Sequence, residues 1–201
     1  MNTAVRIFLA VFVTFASAWL GLVFFPHLQL RDLRAQVDEV TGEEHPAPYS
    51  GEALLGRASY MSLGCTYCHS QQVRGGFWNA DLERGWGLRR SHPRDYIYDE
   101  PQLLGTMRTG PDLANIGARQ PSRAWHLLHL YDPQITSPGS IMPPHRFLFT
   151  RRRIVGQPAS DALALEGEFA PEEGHEIVPT REAHNLVTYL LGLNQMYEIE
   201  D

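Results

Sequence analysis

The sequence predicts a mainly α-helical protein in which a single N-terminal transmembrane helix precedes one domain with long loops. Three observations lead to this prediction: an uncharged apolar run near the N-terminus, apolar residues at helical spacing after it, and no strand-rich region in the 201 residues. The formal net charge of −6 disfavours a nucleic-acid partner, because phosphate binding needs concentrated Lys and Arg.

The apolar run covers residues 7–25, directly after Arg6, and Pro26 closes it. A helix rises about 1.5 Å per residue, so the run matches the roughly 30 Å hydrocarbon core of a bilayer. An Ala-Ser-Ala triplet at 16–18 offers the alternative of a cleaved signal peptide, but the apolar run continues well beyond it. We therefore predict a retained transmembrane anchor over residues 1–27.

A helical stalk and linker are predicted over residues 28–50. Apolar residues spaced three, four and three positions apart form one seam along a helix, namely Leu30, Leu33, Val37 and Val40. Pro46 and Pro48 then break the helix. The spacing leaves open whether the seam faces a neighbouring subunit or the chain's own domain.

The remaining residues, 51–201, are predicted to form one domain whose clearest elements are helices. One covers residues 52–63 and ends near Gly64, and a short one covers 121–131. A last helix over 180–193 begins at an N-capping Thr180. Its apolar face consists of Leu186, Tyr189, Leu190 and Leu193.

Between these helices the sequence predicts irregular structure. Residues 70–120 are rich in Gly, Arg, Trp and Pro, which indicates loops and short helical turns. Residues 132–144 read as a proline-rich loop, and residues 150–179 as a charged excursion on the surface.

Residues 65–69 read CTYCH and include both cysteines of the chain, Cys65 and Cys68. Two thiols at this spacing can bind the two vinyl groups of one porphyrin, and the following His69 can then ligate the iron. A thioredoxin-like redox pair needs a preceding strand, and a zinc site needs further cysteines, so both alternatives fit poorly. The motif therefore predicts one covalent haem c.

Such a haem often takes a methionine as its second axial ligand. Met142 is the best candidate, because it lies far from His69 in sequence, in a loop stiffened by Pro143 and Pro144. Its rivals are the histidines, chiefly His126, His129 and His145.

The segment around Pro111 offers a support for the proximal histidine. A proline carbonyl can accept the Nδ1–H of His69 and so fix the orientation of the ring. Leu113 would then supply an apolar wall of the pocket.

Several stretches in this order resemble one known family, the mono-haem cytochrome c subunit (subunit II) of cbb3-type cytochrome c oxidases, which belong to the haem-copper oxidases. The resemblance covers residues 49–149 and the terminal helix. Its stretches are residues 65–72, Tyr98-Asp99, residues 108–114, Trp125-His126, residues 129–131 and Met142-Pro143.

The resemblance implies a class I-like cytochrome c domain that relays electrons and has no catalytic site of its own. It implies His69 and Met142 as the iron ligands and Pro111 as the proximal support. The implied partners are a membrane-embedded catalytic haem-copper subunit, a further cytochrome c subunit or donor cytochrome, and membrane lipid. The implied place is the bacterial inner membrane, with the cytochrome domain on the periplasmic side.

Two segments depart from the family pattern. The first, residues 73–96, contains Trp78, Trp86 and a cluster of four arginines: Arg84, Arg89, Arg90 and Arg94. These arginines could bind haem propionates, bind anionic lipid, or lie in a solvated, salt-bridged loop. Residues 150–179 have no counterpart. Alternative functions are a nitric oxide reductase subunit, a free-standing anchored electron carrier, and a small haem enzyme or gas sensor with an open iron position.

Overall fold

The computed structural model describes residues 2–76 and 80–199. Trp78, noted in the sequence, lies outside the described residues. The chain divides into two compact units, the first comprising Met1–Pro46 with His92–Ile97, and the second Ala47–Ser91 with Tyr98–Asp201.

The first unit begins with helix α1 (Thr3–Trp19), a π-helical turn (Leu20–Phe24) and helix α2 (Phe25–Leu30). Together they form one helix, long and apolar enough to cross a membrane. Pro26 does not close it as predicted but lies in the first turn of α2. The N–H of Phe25 bonds to the carbonyl of Leu20, five residues back. This change of register places Pro26 where its missing N–H breaks no regular α-helical bond.

The predicted helical stalk was wrong. After a turn beyond α2, the chain forms a short antiparallel hairpin of strands β1 (Gln36–Val37) and β2 (Glu44–His45). The carboxylate of Asp38 accepts the N–H groups of Val40 and Thr41, at 2.8 and 2.9 Å. Such side-chain bonds favour a turn over a helix, and Val40, predicted in an apolar seam, is 94% exposed.

In the second unit, helices α3 (Gly51–Ser62) and α7 (Arg181–Gly192) form the central packed pair. The hydroxyls of Ser50 and Thr180 cap them by accepting an N–H three residues on. Both helices were predicted, as was the end of α3 before Gly64, which has a positive φ of 74°. The four predicted apolar residues of α7 are buried in the core.

Three shorter helices lie between α3 and α7 in the sequence: α4 (Ile116–Arg119), α5 (Arg123–Tyr131) and α6 (Pro133–Thr136). Helices α4 and α5 pack on α7, and α6 packs on α5. Helix α5 confirms the prediction over residues 121–131. The proline-rich segment, residues 132–144, was predicted as a loop, but it begins with the short helix α6. This helix forms because the side chain of Asp132 accepts the N–H of Gln134 and Pro133 occupies the first helical position.

Residues 149–179 form more than a surface excursion. Strands β3 (Phe149–Arg153) and β4 (His175–Pro179) pair antiparallel, with Arg151 opposite Ile177. Ile177 and Phe149 are buried in the hydrophobic core, while the arginines of β3 are exposed. Strand β3 was not predicted, because its three consecutive arginines do not alternate with apolar residues and so show no buried face in the sequence.

Candidate haem site

The second unit contains a cavity of about 520 Å³. Its lining brings together all six residues that the sequence singled out: Cys65, Cys68, His69, Pro111, Leu113 and Met142. The other lining residues are mainly apolar, with Leu130, Leu186 and Leu190 among them. The volume lies within the range of small-molecule and cofactor pockets.

One wall of the cavity is formed by the CTYCH segment. Gly64 ends α3 in a left-handed conformation, and Cys65–Tyr67 form one turn of 3-10 helix. The N–H of His69 donates to the carbonyl of Cys65 at 2.9 Å, so both thiols and the imidazole belong to one compact turn. Burial raises the pKa of Cys65 to about 11, so this thiol is protonated at neutral pH.

The imidazole of His69 is held by a backbone carbonyl. Its Nδ1 lies 2.8 Å from the oxygen of Pro111. Since a carbonyl oxygen only accepts, Nδ1 carries the proton and Nε2 keeps its lone pair. Burial lowers the pKa of His69, which favours the neutral ring. A neutral imidazole with a free Nε2 is the form that ligates iron.

Gly110 makes room for this ring. Its N–H donates to the carbonyl of Cys68 at 2.9 Å, and a Cβ at this position would lie 2.8 Å from Nδ1 of His69 and 2.9 Å from Nε2. Only a residue without a side chain fits between the backbone and the imidazole. In the sequence, Gly110 lies within the matched stretch 108–114, but nothing there gave a physical reason for a glycine at this position.

Met142 lies in the wall contributed by residues 137–143, half-buried and packed against the core. His126 and His129 also line the cavity, but each has a partner. Nε2 of His126 lies 2.8 Å from the carbonyl oxygen of Gln120. Nδ1 of His129 lies 2.6 Å from the hydroxyl of Thr136.

His129 is further constrained by Trp125, whose ring stacks on it at 4.7 Å. Burial, with repulsion from neighbouring histidines, lowers the pKa of His129 to about 4. The third rival, His145, is not among the residues that line the cavity. The contact with Thr136 engages Nδ1 of His129, just as the carbonyl of Pro111 engages Nδ1 of His69. The choice of Met142 over this histidine therefore rests on ligand chemistry and stays a prediction.

Two thiols, an imidazole with a free nitrogen, a thioether and apolar walls are the groups that a c-type haem requires. The donor set therefore fits the cofactor that the sequence predicted. A family model described as the cytochrome c oxidase mono-haem subunit, FixO, matches residues 2–190.

The chain belongs to this family. Comparison with curated protein sequences gives no significant match. Membership in the FixO family confirms the resemblance drawn from the sequence and makes the chain the electron-transfer subunit, with one haem, of a cytochrome c oxidase. Together with the apolar helix Thr3–Leu30, it indicates a membrane-anchored protein.

The FixO-family subunit has a buried ionic network behind the CTYCH segment that sequence reasoning missed. Arg108 binds both carboxylate oxygens of Asp81, at 2.7 and 2.8 Å, and reaches Asp112 at 3.2 Å. Burial would raise the pKa of Asp81, but the Arg108 hydrogen bonds and charge lower it overall. Asp81 and Arg108 are far apart in sequence and carry no local pattern, so no sequence signal could have paired them.

Three of the four arginines in the cluster of residues 73–96, Arg84, Arg89 and Arg94, have partners that do not line the cavity. The guanidinium of Arg84 lies over the ring of Trp86, and Arg89 bonds to the carbonyl of Tyr197. Arg94, in the first unit, bonds to the side chain of Gln36. Among the described residues, no arginine of this segment lines the cavity.

Proposed function

We propose that this chain is the electron relay of a membrane-bound terminal oxidase, passing electrons through one covalent haem c to a catalytic haem-copper subunit that reduces oxygen. The observation that carries the proposal is the convergence of Cys65, Cys68, His69 and Met142 on one apolar cavity. The family supports the oxidase as its setting.

The two cysteines would attach the cofactor. Each thiol adds its S–H bond across one porphyrin vinyl group, so that sulfur bonds to one carbon and hydrogen to the other. The addition needs no oxidant, and the thiols are free in the structure. Cys68 is exposed and Cys65 half-buried, which places one attachment point at the rim and the other deeper in the wall.

The axial ligands would set the redox behaviour. When bound, haem supplies a reversible one-electron couple at its iron. His69 would donate through Nε2 while Pro111 keeps the ring oriented from the other nitrogen. Met142 would provide a weak thioether donor that favours ferrous iron and raises the potential. Leu113, Leu130 and Leu186 line this part of the cavity with apolar surface.

We further propose that helix Thr3–Leu30 anchors the subunit in the bacterial inner membrane, with the cytochrome domain on the periplasmic side. The partners would be the catalytic subunit and a second cytochrome c subunit or donor cytochrome. The length and apolar composition of the helix support the anchor, and the family supports assembly with an oxidase.

The test is made on the native complex after gentle solubilisation. Reduced-minus-oxidised spectra, oxygen uptake and haem staining of the denatured subunit are measured together. A stained band that co-purifies with haem b, copper and oxygen uptake is expected. Reduction of nitric oxide without oxygen uptake would contradict the oxidase setting. Extraction as a stable lone monomer would indicate a free-standing carrier, and rapid carbon monoxide binding by the native ferrous protein an open iron position.

A further inference from the structure

Arg108 forms hydrogen bonds with the residues that directly follow His69. Its Nε donates to the hydroxyl of Ser70 at 2.7 Å, and its Nη2 donates to the carbonyl of Gln72 at 2.7 Å. Nη1 and Nη2 of the same guanidinium donate to the two carboxylate oxygens of Asp81, whose side chain is fully buried. A planar fork with several fixed donors can make all these bonds at once.

Asp112 joins this segment to the other half of the site. Its carboxylate accepts the hydroxyl of Ser70 at 2.5 Å and the N–H of Gln72 at 2.9 Å. It also accepts the N–H of Ala114 at 2.8 Å. The N–H of Leu113 donates to the carbonyl of Ser70 at 2.8 Å. The residues directly after His69 are therefore tied to those directly after Pro111.

We propose that Arg108 is a positioning residue for the hydrogen bond between His69 and Pro111, and through it for the redox potential of the haem. The inference rests on the proposed function and deepens it. Arg108 touches neither the imidazole nor the cavity; it holds the two backbone segments whose separation sets the 2.8 Å distance.

Stability alone explains this network poorly. Burying ion pairs requires removing water from each charge, and apolar side chains of similar size often stabilise a fold as well. Here the side chains of Asp81 and Asp112 are at most 1% exposed. Arg108 also lies over the ring of Trp86, 5.5 Å from its centre. Each of these contacts restricts the direction of the guanidinium, which a positioning role requires.

The expected effect has a definite sign. A histidine that donates its second N–H to a strong acceptor is a more basic ligand. A more basic ligand favours ferric iron and lowers the potential. Loss of the hydrogen bonds from Arg108 to Ser70 and Gln72 should weaken the bond between His69 and Pro111. His69 then becomes a poorer electron donor to iron, and the midpoint potential of the haem rises.

Arg108→Lys is the informative variant, because it keeps the positive charge but cannot form the forked set of bonds. Arg84→Lys is the matched control. Arg84 also lies over Trp86, at 5.2 Å, but the structure shows no bond from it to residues 70–72 within the described chain. Two quantities are measured on the full-length protein: the midpoint potential, and hydrogen exchange of the His69 Nδ1–H by NMR in the ferrous state.

We expect a higher potential and several-fold faster exchange in Arg108→Lys, with neither change in Arg84→Lys. Unchanged exchange and potential in Arg108→Lys, or equal shifts in both variants, would overturn the proposal. If Arg108→Lys does not fold, Ser70→Ala removes one bond to Arg108 and one to Asp112 without changing any charge, and the same shifts are expected. Absence of covalent haem from the wild-type protein would contradict the proposed function alone. Exchange of the His69 Nδ1–H, measured in that case on the haem-free full-length chain, still tests the positioning role of Arg108.

Discussion

The backbone of Gly110 lies against the imidazole of His69, where a Cβ would stand 2.8 Å from Nδ1. The ring is thus enclosed between a glycine on one side and the carbonyl of Pro111 at 2.8 Å. Position 110 therefore requires a residue without a side chain, because any Cβ there would collide with the imidazole of His69.

Gly110→Ala should displace the imidazole from Pro111. We expect a loss of about 1–3 kcal/mol in the free energy of unfolding, the usual cost of overpacking, and a higher midpoint potential. Urea denaturation and redox titration measure the two effects. Gly192→Ala is the control, since a Cβ there meets nothing within 4 Å. Equal stability of the two variants would show that the glycine is not needed for space.

Met142→Ala should lower the reduction potential while the haem stays attached, because the thioether favours ferrous iron. Met107→Ala is the matched control, as Met107 is exposed and does not line the cavity. Redox titration of both variants decides the point. An unchanged potential in Met142→Ala would rule out this residue as the axial ligand.

Gly56→Ala should destabilise the packing of α3 on α7. A Cβ at this position would overlap the backbone carbonyl of Asn185, so the helices must separate, at a cost of about 1–3 kcal/mol or more. Thermal or urea unfolding measures the change. Gly51→Ala, at the open start of the same helix, should leave stability nearly unchanged; a similar loss in both would contradict the close contact.

Asp81→Asn should alter the dependence of stability on pH. The folded protein lowers the pKa of Asp81 below its ordinary value of 3.8, so the carboxylate stabilises the fold above about pH 4 and loses that effect as pH falls through the folded-state pKa. We expect the variant to be about 3 kcal/mol less stable at pH 7, the range for removing one partner of a buried pair.

That difference should shrink at pH 3, when free energies of unfolding are compared at both values. Glu173→Gln, which changes an exposed acid, controls for net charge. A difference between wild type and Asp81→Asn that is the same at both pH values would contradict the lowered pKa.

Local signals account for what the sequence predicted well. The CTYCH segment needs only five adjacent residues, and the helices α3, α5 and α7 carry their caps and apolar faces within their own residues. Met142 was reached through ligand chemistry and distance along the chain. Its place in the cavity wall agrees with that choice, while its bond to iron stays a prediction.

The failures have physical reasons. The stalk was predicted as a helix from the spacing of its apolar residues alone. The same segment contains Asp38 and Gly42, which form the turn in the structure: Asp38 accepts a backbone N–H, and Gly42 has a positive φ. Strands β3 and β4 pair across a long intervening loop, and their register depends on burial of Ile177 that the sequence does not reveal. The Arg108–Asp81 pair likewise exists only in the folded chain.

The most direct test of the central claim is haem staining of this subunit after full denaturation, in the wild type and in the double variant Cys65→Ser, Cys68→Ser. A stained wild-type band and an unstained variant band are the predicted result, since only thioether bonds survive denaturation. An unstained wild-type band, or a stained band from the double variant, would contradict covalent attachment at these cysteines.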